Sequence, residues 1–157
     1  MKNFLSDILL MTAFCLLAQW VNAQEADLNN HLNESLAVFK VSDSGTFAKF
    51  FMPNAELIDA SGKTFIGRKA IREWHQQMHR NCAPAKEITS EIISKRTRSI
   101  RPDLLVMVAT TAVKCQNHSA TVAYNCLFRR IDSQWYVETC AIVPVEGSAV
   151  ETIGLNR

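Results

Sequence analysis

Neither acidic nor basic residues dominate this sequence. Its 17 Lys and Arg residues nearly balance 15 Asp and Glu residues, which gives a formal net charge of +2. Strongly basic surfaces bind nucleic acids and anionic membranes, so the sequence predicts neither of these as the main partner. With 157 residues, 48% of them hydrophobic, the chain is long enough for one globular domain and too apolar to be disordered.

Motifs for the common cofactors are missing as well. The sequence contains no glycine-rich phosphate loop and no C-x-x-C pair, which are motifs that often hold nucleotides and zinc. His75 and His79 share a helix face at a spacing that suits a metal ion, but no acidic residue lies between them. We therefore expect a solvated helix face there, and no metal or other cofactor.

The long apolar run that the sequence does contain lies at its N-terminus. Ile8 to Ala18 is eleven residues long, whereas a bilayer-spanning helix needs about 20. Lys2 before the run and the small residues Val21-Asn22-Ala23 after it are typical of a secretory signal peptide. We expect residues 1–23 to be removed and the mature protein to be secreted or periplasmic, free of the membrane. An uncleaved membrane anchor is the alternative.

An even number of cysteines remains once the signal peptide is removed. In an oxidising compartment these cysteines predict two disulfides, although their number alone allows three pairings. Buried free thiols are the main alternative, and a zinc site is disfavoured because the cysteines are 33, 11 and 14 residues apart. The residues concerned are Cys82, Cys115, Cys126 and Cys140.

Helical periodicity dominates the first half of the mature chain. Apolar residues recur three and four positions apart over about residues 25–41 and 68–80. A short helix is predicted from about residue 43 to Phe51, where Pro53 ends it. Two short strands are predicted on either side of a Ser61-Gly62 turn, over residues 56–59 and 64–66.

From about residue 86 the hydrophobic period changes to two, which predicts four long strands. Short turns separate these strands and favour antiparallel pairing of each strand with the next. Three helices followed by such strands predict an α+β fold with helices on one face of a curved sheet. The strands cover about residues 87–100, 103–115, 119–131 and 134–145.

This strand order favours one pairing of the cysteines. Pairing the first two long strands around Pro102 brings Cys115 level with the chain just after Cys82. A three-residue turn between the last two strands puts Cys126 opposite Cys140, whereas a two-residue turn sends them to opposite faces. We therefore favour the disulfides Cys82–Cys115 and Cys126–Cys140 over the other arrangements.

Both faces of the last strands carry apolar side chains. On the third long strand, Tyr124 and Phe128 alternate with Ala123 and Leu127. One face can cover the helices, and a second subunit is a natural cover for the other. The pattern therefore predicts a homodimer.

Three stretches of the sequence resemble a known superfamily. They are Phe51–Gly62, Gly67–Trp74 and Leu127–Val137. They are similar to the nuclear transport factor 2-like (NTF2-like) superfamily, in its SnoaL-like and ketosteroid-isomerase-like branch. The resemblance implies a cone-shaped, curved antiparallel sheet wrapped around three N-terminal helices, with an apolar pocket at its wide end. The domain is then expected over residues 24–145, followed by a flexible tail over 146–157.

The resemblance also implies positions for catalytic groups. In ketosteroid isomerases an Asp abstracts a proton next to a carbonyl, and Asp59 falls on that position. A donor on a late strand stabilises the enolate oxygen in that family, and Asn125 falls near its position. A Tyr on the first helix is the family's other donor, but the matching region here holds Ser35 and no Tyr. The alternative role for Asp59 is to cap the Ser61-Gly62 turn.

Other residues are candidates for lining the implied pocket. The candidate ligand-binding residues are Trp74, His75, Tyr124 and Glu138, with a core role as the alternative for Trp74. A basic run from Lys95 to Arg101 is suited to an anionic ligand, but protection of a strand edge is the favoured explanation for it.

Binding of a small apolar molecule is the predicted function. One alternative is an isomerase or lyase that abstracts a proton next to a carbonyl, with Asp59 as the general base and Asn125 as the donor. Another is a non-catalytic dimerisation or protein-interaction module that uses the sheet face around Tyr124, Phe128 and Tyr136. Because one fold of this kind hosts many functions, the sequence leaves the substrate open.

Overall fold

The structure is a computed structural model that describes residues 26–82, 88–115 and 118–145. Residues 1–23 and 146–157, predicted as the signal peptide and the tail, lie outside this described part of the chain. Among the described residues, no helix has the length and apolar character needed to cross a bilayer.

The chain divides into two compact units. The first is Met1–Glu34, of which residues 26–34 are described and helical. The second is Ser35–Arg157, which contains two further helices and the whole sheet. In chain order the helices are α1 over residues 26–40, α2 over Ser44–Lys49 and α3 over Gly67–Asn81.

Asp43 begins α2. Its Oδ1 accepts a hydrogen bond from the Thr46 amide at 3.0 Å, which satisfies one of the free amides of the first turn. The helix ends at Lys49 rather than at the predicted Phe51, because Phe51 already begins a strand. The prediction that Pro53 stops α2 is therefore wrong.

The longest helix of the second unit, α3, has an inward stripe at helical spacing. Ile71, Trp74, His75 and Met78 are its buried residues, and three of them were expected from the periodicity. Gly67 opens the helix with φ +80°, a backbone conformation that suits glycine. A Cβ added there would lie 3.1 Å from the Pro53 carbonyl oxygen, so both the backbone and the packing require glycine.

Six strands form one sheet in the order β2-β1-β6-β5-β4-β3. The four long strands form the predicted antiparallel meander, with ends within about two residues of those predicted. The α+β class predicted from the sequence is confirmed. The strands are β1 (Phe51–Ile58), β2 (Thr64–Ile66), β3 (Thr89–Arg101), β4 (Leu104–Cys115), β5 (His118–Ile131) and β6 (Gln134–Pro144).

The first strand differs from its predicted form. β1 begins at Phe51 and lies parallel to β6, and this is the parallel pair in an otherwise antiparallel sheet. Its register jumps between Phe51, opposite Val137, and Glu56, opposite Thr139. Pro53 lies in this irregular part, where its lack of a backbone N–H costs no ladder hydrogen bond.

Side chains alternate between two faces of the sheet. We call the face that carries most of the buried side chains the inner face and the opposite one the outer face. On β4, for example, Met107 and Ala109 are buried on the inner face, whereas Val108 between them is 41% exposed on the outer face. Residues that pair across neighbouring strands lie on the same face of the sheet. The pairing therefore assigns each candidate residue to the inner or the outer face.

Both predicted disulfides are present. Cys82 is bonded to Cys115 with a Cα–Cα distance of 5.6 Å, and Cys126 is bonded to Cys140 with a Cα–Cα distance of 4.1 Å. Cys126 and Cys140 are direct partners in the β5–β6 ladder.

The turn before Cys140 is not the predicted one. It has two residues, Asp132 and Ser133, both with positive φ, as in a type I′ hairpin. A bulge at Glu138 supplies the missing residue, because Val137 lies opposite Phe128 while Thr139 lies opposite Leu127. The bulge therefore restores the register that a three-residue turn would have given.

Candidate functional site

Asp59 and Tyr124 lie in one row across the inner face. Ile58 is the neighbour of Ala141 on β6, so Asp59, the next residue along, comes level with Ile142. Ile142 is in turn the ladder partner of Tyr124 on β5. Two strand spacings of about 4.8 Å separate the backbones of Asp59 and Tyr124.

The Asp59 carboxylate closes the β1–β2 turn. Asp59 is buried, and its Oδ1 accepts hydrogen bonds from the Ser61 amide at 2.9 Å, the Ser61 hydroxyl at 2.5 Å and the Lys63 amide at 3.0 Å. The turn is closed further by a bond from the Gly62 amide to the Asp59 carbonyl at 2.8 Å. Its Oδ2 accepts no hydrogen bond from a described residue. Asp59 thus makes the turn contacts expected of a cap and keeps one oxygen available.

Tyr124 lies half-buried at the other side of Ile142. Burial raises the pKa of its phenol above the usual range, so the hydroxyl keeps its proton at neutral pH. That hydroxyl makes no hydrogen bond to any residue that the structure describes. Ala109, its neighbour on β4, is buried and has a small side chain.

His75 is part of the helical core rather than of a solvated face. Its side chain is fully buried, its ring stacks on Phe47 with centroids 4.3 Å apart, and its Nδ1 lies 2.6 Å from the Ser44 hydroxyl oxygen. Its Nε2 lies 3.3 Å from the Phe39 carbonyl oxygen, which also lies 3.0 Å from Nε2 of His79. The prediction of a solvated face is therefore wrong for His75, because α1, α2 and α3 enclose it.

Burial keeps His75 neutral. The loss of water around the ring, together with the neighbouring His79, lowers its pKa to about 4. A neutral ring carries one proton, and Nε2 faces a carbonyl oxygen, so that proton lies on Nε2. Nδ1 then accepts the hydrogen bond that the Ser44 hydroxyl donates.

Trp74, another predicted ligand-binding residue, is buried at 7% exposure among aromatic rings. Its ring centroid lies 6.4 Å from that of Phe47 and 6.3 Å from that of Phe65. These contacts are those of the core role that the sequence left as the alternative.

Asn125 and Glu138 lie on the outer face, away from Asp59. Asn125 is exposed and lies between Val108 and Ala141 in the ladders. Glu138 projects at the bulge, where its carboxylate accepts hydrogen bonds from Arg129 Nε at 2.9 Å and Nη2 at 3.1 Å. Hydrogen bonding to Glu138 raises the pKa of Arg129. The structure thus brings Asp59 and Tyr124 together, but neither Asn125 nor Glu138 joins them.

Two residues of this region were missed from the sequence. No sequence motif singles out Ser44. Its neighbours Ser42 and Asp43 are equally suited to cap the helix, so the residue type does not predict its contact. Ile142 lies between Asp59 and Tyr124 because β1 pairs in parallel with β6, and the local sequence does not mark that pairing. Within the described residues, no group of three or more His, Cys, Asp or Glu side chains is placed to hold a metal ion.

Solved structures share this architecture. A domain of unknown function with a cystatin-like fold from Nostoc punctiforme has a TM-score of 0.67 at 19% identity, over 78% of this chain and 78% of that one. A candidate scytalone dehydratase from Novosphingobium aromaticivorans has a TM-score of 0.70 at 9% identity, over 82% of this chain and 88% of that one.

A third similar structure identifies the fold. An NTF2-like protein of unknown function from Pseudomonas putida has a TM-score of 0.67 at 14% identity, over 78% of this chain and 87% of that one. The chain has an NTF2-like fold. No protein-family model and no curated protein matches the sequence. The NTF2-like fold that the sequence resemblance implied is thus confirmed by structure, at identities that speak for the fold alone.

Proposed function

We propose that this NTF2-like chain binds a small, mainly apolar molecule on the inner face of its sheet, where Tyr124 donates a hydrogen bond to a polar atom of that molecule. The unpartnered Tyr124 hydroxyl carries the proposal, because a half-buried donor on an apolar surface lacks an acceptor among the described residues. A carbonyl or ether oxygen of the ligand supplies that acceptor, and Ala109 and Ile142 contact its apolar part.

The composition of the row supports this proposal. Small-molecule sites are largely apolar and hold a few polar groups that fix the ligand's orientation. Here the polar groups are the Tyr124 hydroxyl and the Asp59 carboxylate, and Ile142 between them is buried. One protein of similar structure is described as a candidate scytalone dehydratase, an enzyme.

The first test is native mass spectrometry of the mature protein, exported and never reduced, for a retained small molecule. The second is a fluorescence titration with Nile red, a neutral apolar dye that carries a carbonyl oxygen. We expect Tyr124→Phe to weaken Nile red binding about tenfold, which is the loss of one hydrogen bond. The chain's other tyrosine, Tyr136, is half-buried and donates a hydrogen bond to Gln134, and it provides the control variant Tyr136→Phe. Equal affinities for the two variants would overturn the proposal.

Proton transfer is a second candidate function, favoured by the free Asp59 Oδ2. In this scheme Asp59 removes a proton from the carbon next to a ligand carbonyl, the carbon–hydrogen electron pair moves into the carbonyl, and Tyr124 hydrogen-bonds the resulting enolate oxygen. Asp59 then returns the proton to carbon. Tyr124 takes the donor role that the resemblance implied for Asn125, since Tyr124 lies on the inner face.

Deuterium uptake by a cyclic ketone, followed by NMR, tests this second function. Asp59→Asn retains an oxygen for the turn hydrogen bonds and removes the base, so we expect it to abolish uptake while Nile red still binds. Asn125→Ala is the matched control, and we expect it to leave uptake unchanged. Uptake that survives in Asp59→Asn excludes Asp59 as the base.

Export to an oxidising compartment is part of the same proposal. Disulfides persist in such compartments, and the chain contains two of them together with an N-terminal segment typical of a signal peptide. Intact mass analysis of protein from an exporting host should give a chain that lacks residues 1–23 and four thiol hydrogens. A full-length chain with free thiols contradicts export.

We further propose that a second copy of the chain covers the outer face. One row across this face runs from Glu56 through Thr139, Leu127 and Val106 to Arg98. Glu56 and Arg98, the first and last of these five residues, are exposed, and neither makes an ion pair with a described residue. A two-fold axis through the middle of the row places Glu56 of one protomer opposite Arg98 of its partner.

Charge reversal tests this dimer. Sedimentation velocity should give a dimer for the unmodified chain and a shift towards monomer for Glu56→Arg or Arg98→Glu alone. The double variant, which restores opposite charges, should recover the dimer. A monomer in the unmodified chain contradicts the proposal and favours an interaction module with a different partner on this face.

A further inference from the structure

An exposed amide lies among apolar side chains in the middle of the outer face. Asn125 is exposed on β5. Val108 and Ala141 are its partners across the ladders, and Leu127 and Ala123 are its neighbours on this face along the strand. All four are apolar, and Val108 is itself 41% exposed. The second subunit proposed above therefore covers an apolar surface with an amide at its centre.

An amide that another subunit covers needs a new hydrogen-bond partner. In the described part of the chain, the Asn125 side chain makes no hydrogen bond, so it is open to solvent. Burying a polar group without a partner is unfavourable, and nearly all buried polar groups in proteins are paired. A dimer that places this amide against apolar side chains is therefore disfavoured relative to one that places it against a polar group.

The charges on the same face specify which residues meet. Glu56 lies on β1 and Arg98 on β3, and each of these strands is two places from β5 in the sheet. A two-fold axis that brings Glu56 opposite Arg98 of the partner subunit therefore runs along β5, between the two facing sheets. Residues that lie on such an axis face their own copies. This axis places Asn125 opposite Asn125 of the partner subunit.

An asparagine amide is complementary to itself. It carries two N–H donors on its nitrogen and an acceptor oxygen, so two facing amides can form reciprocal hydrogen bonds. Sheets that pack face to face are about 10 Å apart, which leaves room for two such side chains joined by hydrogen bonds of about 2.9 Å. The amide and the two charges are independent features of the face, and one axis provides partners for all of them.

We propose that Asn125 lies on the two-fold axis of the dimer and hydrogen-bonds to Asn125 of the partner subunit, which fixes how the two sheets align. This inference rests on the dimer proposed above and adds the position of its axis. Apolar side chains pack in several alignments, whereas a buried amide favours those in which it is paired. Asn125 is therefore the residue that selects one alignment of the apolar face.

Opposite charges at position 125 test whether the residue faces its own copy. Asn125→Asp and Asn125→Lys each place like charges on the axis, so we expect each variant alone to dimerise about tenfold or more weakly than the unmodified chain. An equimolar mixture should form a heterodimer, because the two facing charges are then opposite. Sedimentation velocity measures the dimer, and native mass spectrometry identifies its two chains by mass.

Ser94 provides the matched control, because it is exposed on the same face but lies on β3, away from the axis. A mixture of Ser94→Asp and Ser94→Lys should show no preference for the heterodimer. If the unmodified chain dimerises and the mixture of Asn125 variants shows no preference either, the axis assignment fails while the dimer stands. A monomeric unmodified chain overturns the dimer and the axis with it.

A second measurement separates alignment from the loss of a polar group. Asn125→Leu removes the amide and extends the apolar surface, so the dimer should not weaken, but its sheets should adopt more than one alignment. The factor by which Glu56→Arg weakens the dimer should then be smaller in Asn125→Leu than in the unmodified chain. Equal factors would show that Asn125 does not fix the alignment.

Discussion

Ser44 donates a buried hydrogen bond of 2.6 Å to Nδ1 of His75. The same imidazole faces the Phe39 carbonyl through Nε2, at 3.3 Å. One side chain of α3 therefore contacts the end of α1 and the start of α2 by hydrogen bonds, and the one that Ser44 donates requires the neutral ring. The stability of the helices in the second unit should consequently depend on this hydroxyl and on pH.

Removal of the hydroxyl should destabilise the fold. Ser44→Ala leaves Nδ1 of a fully buried histidine without a donor, and an unsatisfied buried acceptor costs about 1–3 kcal/mol of unfolding free energy. Urea denaturation of the mature protein measures the loss. Ser42→Ala, two residues earlier and exposed, should change the unfolding free energy by less than about 0.5 kcal/mol. Equal stability of the two variants would show that the buried bond contributes nothing.

Acid should destabilise the protein through His75. Its pKa is lowered to about 4 in the folded state from 6.5, so the unfolded chain binds the extra proton first. The contribution of the neutral ring is complete above about pH 6.5, is lost as pH falls towards 4, and amounts to about 3 kcal/mol.

Unfolding free energies measured from pH 7 to pH 4 test this dependence. His31 has a pKa lowered to about 4 by burial as well, so the unmodified protein responds to both groups. The difference between the pH dependence of its unfolding free energy and that of His75→Gln gives the contribution of His75. Parallel curves would mean that His75 does not titrate differently in the two states.

Burial should delay the ionisation of Tyr124. Burial raises the pKa of Tyr124, so its phenolate should form later than that of a water-exposed phenol as pH rises. Ultraviolet difference absorbance follows phenolate formation, and circular dichroism shows whether the fold persists. We expect Tyr124→Phe to remove the later step and Tyr136→Phe to retain it. The proposed ligand should delay the later step further, because it accepts the Tyr124 proton in a hydrogen bond.

Two glycines offer a matched pair for backbone strain. Gly62 and Gly67 have φ of +84° and +80°, but an added Cβ meets nothing within 4 Å at Gly62 and the Pro53 carbonyl oxygen at 3.1 Å at Gly67. Gly62→Ala should cost about 1 kcal/mol for the left-handed backbone alone. Gly67→Ala should cost about 2 kcal/mol or more, as the contact is added. Thermal unfolding of both variants measures the difference.

The sequence predicts the long strands well because a hydrophobic period of two runs through most of their length, most regularly in β4. β1 was harder, since Pro53 is a helix-stop signal in the local sequence, and only the pairing with β6 leaves room for it in a strand. The cysteine pairing was predicted correctly through an incorrect turn. A bulge such as that at Glu138 depends on packing across strands and leaves no reliable local signature.

The candidate site shows the same limit at the scale of one residue. The resemblance pointed to Asn125 as the donor beside Asp59, whereas the register gives the inner face to its neighbour Tyr124. Neighbouring residues on a strand point to opposite faces of the sheet. An error of one residue in the predicted position therefore selects the exposed amide of Asn125 in place of the donor Tyr124. The sequence could therefore predict which residue types form the candidate site. Which sheet face each residue occupies follows only from the observed strand pairing.

The parallel pairing of β1 with β6 has a consequence for the order in which the protein is made. Phe51 pairs with Val137, 86 residues later in the chain. As the chain is synthesised from its N-terminus, β1 and β2 can form only their short hairpin until β6 is complete. A chain interrupted before β6 leaves the hydrogen-bonding edge of β1 unpaired and Cys126 without its partner Cys140. Complete synthesis of the last strand is therefore the step that closes the sheet, and loss of that strand should leave an aggregation-prone chain.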